Sequence, residues 1–216
     1  MSYAPPTGLT GMTHTTVHVS ISLDGYLAGP DQSLEHPLGV GGPRLHEWHM
    51  PTDEPGHQVD EADDIMREAL MRPRGAVVMG RNMFGPVRGP WDRDWRGWWG
   101  DEPPYHAPVF VLTHYAHDPI EMEGGTTFHF VTDGFDSAYA RACEVAGERD
   151  VSVAGGASTI RQALAAGVVD ELVLDVAPVL LGAGERLLDG VEDPGLVPVE
   201  VEHSPLATHI RYRVGR

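Results

Sequence analysis

The stretch VSVAGGASTIRQALAAG, residues 151–167, runs an alternating apolar segment into two glycines and then into small and hydroxyl residues that open a helical pattern. Removing two Cβ atoms at a strand-to-helix junction lets an anion approach the main chain. The first N–H groups of the helix then face it, with about half a positive charge from the helix dipole. Gly155, Gly156, Ala157, Ser158 and Thr159 therefore read as a diphosphate cradle, with Ser158 and Thr159 able to cap the helix and donate further hydrogen bonds. The same residues also read as a tight turn with an ordinary serine cap, because they match neither G-x-G-x-x-G nor a phosphate loop ending in Gly-Lys-Ser/Thr.

Other residues carry chemistry at a distance. Gly80 and Arg81 end the apolar run GAVVMG, and a guanidinium there can grip a phosphate bidentately or simply cap a surface turn. Asp24 lies in an Asp-Gly pair after the first alternating stretch, as a proton-handling carboxylate or as a turn residue bonded to its own backbone. His46, Glu47 and Trp48 fall in HEWH, with His49, Asp53 and His57 close by, but the H-E-x-x-H spacing of a helical zinc site is missing and no metal is expected. Four of the five tryptophans sit in WDRDWRGWWG, residues 91–100, as an aromatic wall for a flat ligand, a dimer seal or a cover for the sheet edge. DEADD, residues 60–64, reads as a solvated helix face, and the single Cys143 as a small buried thiol.

These residues need elements to hold them. VHVSISL (17–23) alternates at period 2 and predicts a strand. Residues 39–56, rich in Gly, Pro and His, predict a long functional loop with a short helix at RLHEW, and a helix follows over about 58–72 until Pro73 stops it. In that helix Val59, Ala62, Ile65, Met66, Ala69 and Leu70 share the apolar face, opposite Asp60, Asp63, Asp64 and Arg67. GAVVMG and PVFVLT are short continuous apolar runs, as in strands buried on both sides, and FHFV is a shorter one. A helix over 136–146, the strand VSVAGG, the helix STIRQALAAG and the strand ELVLDVAPVLL follow. That order predicts an α/β fold with a mostly parallel sheet. The final alternating pair in VEVEHSPLATHIRYRV predicts an antiparallel hairpin at one edge. A chain of 216 residues, 41% hydrophobic, suits one domain, here taken as 1–216 with 1–14 flexible. With 15 basic against 32 acidic residues and no basic stripe, a nucleic-acid partner is not expected. The N-terminus has neither a basic start nor a long apolar run, so no membrane association and a cytoplasmic location are expected.

Taken together, SISLDGYLAG, VVMGRNMF, VFVLTH, VAGGASTIRQALAAGVVDEL and APVLLGAGERLL resemble, in order and spacing over about residues 15–214, the dihydrofolate reductase superfamily, and specifically its branch containing the RibD C-terminal reductase domain. The resemblance implies a dihydrofolate reductase-like three-layer α/β/α fold, an NADPH site across the strand ends, hydride transfer to a pteridine- or pyrimidine-like small molecule, and a homodimer. It places Gly80 and Arg81 at cofactor phosphates, Thr113 and His114 at the adenosine 2'-phosphate and residues 155–159 at the diphosphate. Ser22 and Asp24 border the nicotinamide, and Asp24 becomes the leading proton donor. His46 and Glu47 stand near where relatives keep a substrate-binding acid, and Trp48 joins a substrate wall. Two positions depart from the pattern: Met83 replaces a frequent Thr, and Ala154 replaces the Glu that riboflavin-pathway enzymes carry before the glycine pair. The function implied is an NADPH-dependent reductase like 5-amino-6-(5-phosphoribosylamino)uracil reductase. A dihydrofolate reductase proper and a non-catalytic nucleotide- or flavin-binding module remain open.

Overall fold

The computed structural model describes residues 13–50, 60–85, 88–91 and 94–215. Val59, Asp53 and His57, and the stretch 1–12, lie outside the described residues. In chain order the elements are β1 (Thr15–Ser22), β2 (Tyr26–Ala28), a 3-10 turn (Gly42–His46), α1 (Glu61–Leu70), β3 (Ala76–Gly80) and α2 (Arg81–Phe84). They continue with β4 (Pro108–Leu112), β5 (Ile120–Glu121), β6 (Thr127–Val131), α3 (Phe135–Ala146), β7 (Val151–Gly155), α4 (Ala157–Ala165) and β8 (Glu171–Ala177). The last are β9 (Glu185–Arg186), β10 (Leu196–His203) and β11 (Thr208–Val214).

Among the described residues nine strands form one sheet in the order β10-β11-β8-β1-β7-β3-β4-β6-β5. The inner pairings from β8 to β6 are parallel, while β10, β11 and β5 join antiparallel at the two edges. The apolar runs lie where both faces of a strand are covered, as their composition requires. A two-residue ladder pairs β2 with β9 outside the main sheet, from segments that carry turn residues and no strand pattern.

The two faces of the sheet are covered differently. Val17, Val19, Ile21, Val78, Val151, Val153, Leu172 and Leu174 point to one face, where Ala138, Ala142, Ile160 and Ala163 of α3 and α4 close a continuous core. Each such aliphatic side chain removed from water contributes about 1.5–3 kcal/mol before entropy is set against it. Among the described residues, the other face is covered only at its flanks. At one flank Trp48 and Met66 of α1 pack on Val173 and Ala207. At the other, Phe84, Trp91, Trp95 and Trp99 pack on Val77, Met79, Val109, Val111 and Phe128. Between these flanks, β1 and β7 present His18, Ser20, Ser152 and Ala154 to open space. The tryptophan segment thus covers the sheet as one of its sequence readings has it, and it also walls the opening through Trp98 and Trp99.

Three sequence expectations need correction here. Asp63 is 3% exposed and belongs to the inner face of α1, rotated from the expected face so that Ile65 is 43% exposed. The reason is a buried partner, His209, which the periodicity of α1 alone cannot reveal. Asp60, by contrast, is the N-cap of α1, its Oδ1 accepting from Ala62 N at 2.9 Å. Helix α4 begins at Ala157 with Gly156 as N-cap and no side-chain cap, so Ser158 and Thr159 do not cap it. Cys143 is half-buried rather than buried, against the α3 side of the core.

Candidate active site

The uncovered centre of the sheet is a cavity of about 870 Å³. It runs from the carboxyl ends of β3, β4 and β7, where open parallel sheets bind ligands, to the polar face of β1. Leu70, Met71 and Arg72 border it on the α1 side, and Trp98, Trp99 and Tyr105 on the other.

One end is built of bare backbone. Gly80, Gly155, Gly156, Ala157, Ser158 and Thr159 all line it. Gly155 has φ +137°, where L side chains are strained, and its peptide bond to Gly156 is cis. A Cβ at Gly80 would lie 2.6 Å from Thr159 Oγ1, so β3 and α4 meet through that missing atom. A Cβ at Gly156, the N-cap of α4, would meet no atom of the described residues within 4 Å. Thr159 is buried and supports this corner from below. Thr113, buried, and His114, exposed, line the neighbouring rim at the end of β4.

Arg81 lines the cavity but does not reach out as a free bidentate clamp. Its Nη1 donates to Thr113 Oγ1 at 2.9 Å, its Nη2 to Gly89 O at 3.3 Å, and its guanidinium carbon lies 3.2 Å from the Trp91 ring centroid. It braces the β4 end and the tryptophan wall. Met83, in place of the expected hydroxyl, reaches the glycine turn, its Sδ 3.4 Å from where a Gly155 Cβ would stand.

The other end is ionisable. His18, His46, His49 and Asp175 line it, and Trp48 lies behind them with Nε1 donating to Ser20 Oγ at 2.9 Å. Asp175 is fully buried, yet its pKa is held below the usual carboxyl value: burial opposes the charge, and His18 and His209 outweigh it. His209 is pushed above the ordinary imidazole value although burial works against it, because Asp175 and Asp63 both hydrogen-bond it. His46 falls to about 4, from burial first and then from the charge of His49, whose own pKa is lowered chiefly by burial. One proton joins that pair, His46 Nδ1 lying 3.0 Å from His49 Nε2.

Four residues expected at the site are elsewhere. Ser22 is buried outside the cavity lining and donates to Asp24 Oδ1, while accepting from Tyr26 N at 2.9 Å. Asp24 also accepts from Leu181 N at 3.1 Å and Gly182 N at 2.7 Å. The Ser22 bond, opposed next by desolvation and then helped by these amides, holds its pKa near 2, so it stays an acceptor that ties the β1 turn to the chain after β8. It is not placed to donate a proton. Replacing Asp24 by Asn is expected to speed hydrogen exchange at the Leu181 and Gly182 amides without moving exchange in β7; unchanged protection at those two amides would refute this tether. Trp48, 4% exposed, is core behind the pole and does not touch the cavity, and Glu47 is exposed outside it. Conversely, His18, His49 and Asp175 escaped the sequence reading as site residues.

Among the described residues no group of three or more His, Cys, Asp or Glu side chains can hold a metal ion, and no helix is long and apolar enough to cross a membrane. No curated protein matches the sequence. Among solved structures, a Shewanella sp. PV-4 protein assigned to riboflavin biosynthesis shares 24% identity at TM-score 0.61, covering 94% of this chain and 100% of that one. A Thermotoga maritima diaminohydroxyphosphoribosylaminopyrimidine deaminase/5-amino-6-(5-phosphoribosylamino)uracil reductase shares 14% identity at TM-score 0.55, with 94% and 56% covered. A pyrimidine reductase-like protein from Corynebacterium diphtheriae shares 20% at TM-score 0.50, with 94% and 92% covered. These likenesses establish the dihydrofolate reductase-like fold, with its central, mostly parallel sheet and antiparallel edge hairpin. The RibD C-terminal domain model matches residues 13–208, which include every strand of the parallel centre and both ends of the cavity, so the chain belongs to the RibD C-terminal domain family.

Proposed function

We propose that the protein is an NADPH-dependent reductase of a small planar heterocycle, pteridine- or pyrimidine-like. The supporting observation is the open Gly156 position before the uncapped start of α4, in the same cavity as the ionisable pole of β1 and β8. The residues present fit a dinucleotide: Gly155 to Ser158 would hold the diphosphate on main-chain N–H groups, and Thr113 and His114 would meet the adenosine end. When bound, NADPH supplies hydride. The chain's share of the work is to orient the acceptor, exclude water with Trp98 and Trp99, and provide a proton. The names of the Thermotoga reductase and of the pyrimidine reductase-like Corynebacterium protein agree with this reading. Ala154, on the cavity floor, weighs against a phosphoribosylated uracil as the substrate, because the family's riboflavin branch keeps a carboxylate there.

Titrating the protein with NADPH and NADH while following tryptophan fluorescence tests the cofactor. Saturable quenching by NADPH, stronger than by NADH, is expected, since Trp98 and Trp99 line the cavity. Oxidation of NADPH on addition of 7,8-dihydrofolate or 5-amino-6-(5-phosphoribosylamino)uracil then separates turnover from binding. No quenching by either dinucleotide would overturn the proposal, and quenching with no oxidation by either acceptor would leave a binding module.

A further inference from the structure

Four ionisable side chains run in a line from the cavity into the α1 layer. His18, lining the cavity and 7% exposed, donates from Nε2 to Asp175 Oδ1 at 3.2 Å and lies 3.0 Å from Oδ2. Asp175 Oδ1 also accepts from His209 Nδ1 at 2.7 Å, and His209 Nε2 donates to Asp63 Oδ1 at 2.9 Å. Strand register sets this up: β8 lies between β1 and β11, with Asp175 opposite both Ser20 and His209 and His18 two residues back on the same face. A histidine that donates from both nitrogens to two carboxylates is an imidazolium. Apolar side chains of the same bulk would hold this corner at least as well, so buried ions at a cavity wall point to proton handling.

We infer that His18 is the proton donor to the reduced substrate, oriented by Asp175, with His209 and Asp63 as positioning residues behind it. The inference deepens the reductase reading and rests on it for the hydride. As hydride adds to the carbon of a substrate C=N bond, His18 gives its proton to the nitrogen. One imidazolium N–H bond breaks, one substrate N–H bond forms, the nicotinamide is left oxidised, and neutral His18 regains a proton from solvent in the cavity. The titratable and charged groups around this line are Asp175 on β8, His209 on β11, Asp63 on α1, His46 in the 3-10 turn and His49 after it, with Arg67 acting on His49. Arg72 and Arg74 line the same cavity.

The test combines kinetics with histidine-selective ¹⁵N NMR on the full chain. With 7,8-dihydrofolate or 5-amino-6-(5-phosphoribosylamino)uracil as acceptor, His18→Gln should lower kcat about 100-fold with KM for NADPH changed less than about twofold. Wild-type kcat should fall on the alkaline side, that limb should be missing in His18→Gln, and His209→Gln should move it. In NMR, wild-type His209 should show both nitrogens protonated at neutral pH, a readout that needs neither a foldable variant nor turnover. A wild type that oxidises NADPH with neither acceptor removes the reductase reading and the donor role with it. A wild type that turns over while His18→Gln keeps its kcat and pH profile overturns this inference alone, as does a neutral His209.

Discussion

Gly156→Val is expected to weaken NADPH binding at least about 100-fold, a loss of about 2.7 kcal/mol, while moving the thermal midpoint by no more than about 3 °C. Gly156 has φ −75°, open to any residue, and a Cβ there meets no atom of the described residues within 4 Å. The unliganded fold thus has little reason to notice the change beyond the few tenths to about 1 kcal/mol that a poor N-cap costs. The dinucleotide does, because the valine methyls would stand where the diphosphate must approach the first N–H groups of α4. The neighbouring glycines give the contrast. Gly155→Ala is strained at φ +137°, and Gly80→Ala drives a Cβ to 2.6 Å from Thr159 Oγ1, so both damage the fold as well as the cradle. Fluorescence titration beside calorimetry distinguishes the cases. Gly156→Val binding NADPH within about threefold of wild type would remove the cradle from the site.

The glycine turn was readable because its chemistry is local: two missing side chains, a strand before them and a helix after them, all within one stretch of chain. The parallel centre was readable for a related reason, since apolar runs such as Val77, Val78 and Met79 have no polar face to offer water. The ionisable pole was hidden by both measures. Its members lie 157, 34 and 146 residues apart along the three hydrogen-bonded links. His18 and Ser20 sit on what alternation presents as a water-facing side, and Asp63 sits in an acidic run that looks solvated. One clue was available. If VHVSISL lies among strands covered on both faces, its polar side must line an enclosed space. Asp24 failed for the opposite reason: a carboxylate at a strand end near an inferred cofactor suggests proton transfer, but the amides of Leu181 and Gly182, distant in sequence, had already claimed it.

Asp175→Ala is expected to destabilise the protein by about 3–5 kcal/mol, because it strips two buried imidazoles of their common acceptor and leaves the charge on His209 facing Asp63 alone. For a chain of this size that lowers the midpoint by about 6–20 °C. The deficit should depend on pH, in a direction set by the two shifts. The Asp175 pKa is depressed, so its contribution is present above the ordinary carboxyl value of 3.8 and is lost as pH falls through the folded value. The His209 pKa is raised, so its contribution is complete below the ordinary imidazole value of 6.5 and is lost as pH rises through the folded value. The gap between wild type and variant should therefore be widest between those two ordinary values and narrower at about pH 3 and about pH 9. His46, lowered to about 4, destabilises the fold progressively as pH drops below 6.5, but it does so in both proteins and largely cancels in the difference. Midpoints measured for both proteins across this range decide the matter. A gap that stays constant with pH would mean that Asp175 acts there by its bulk, and that the imidazole on its far side carries no charge worth holding.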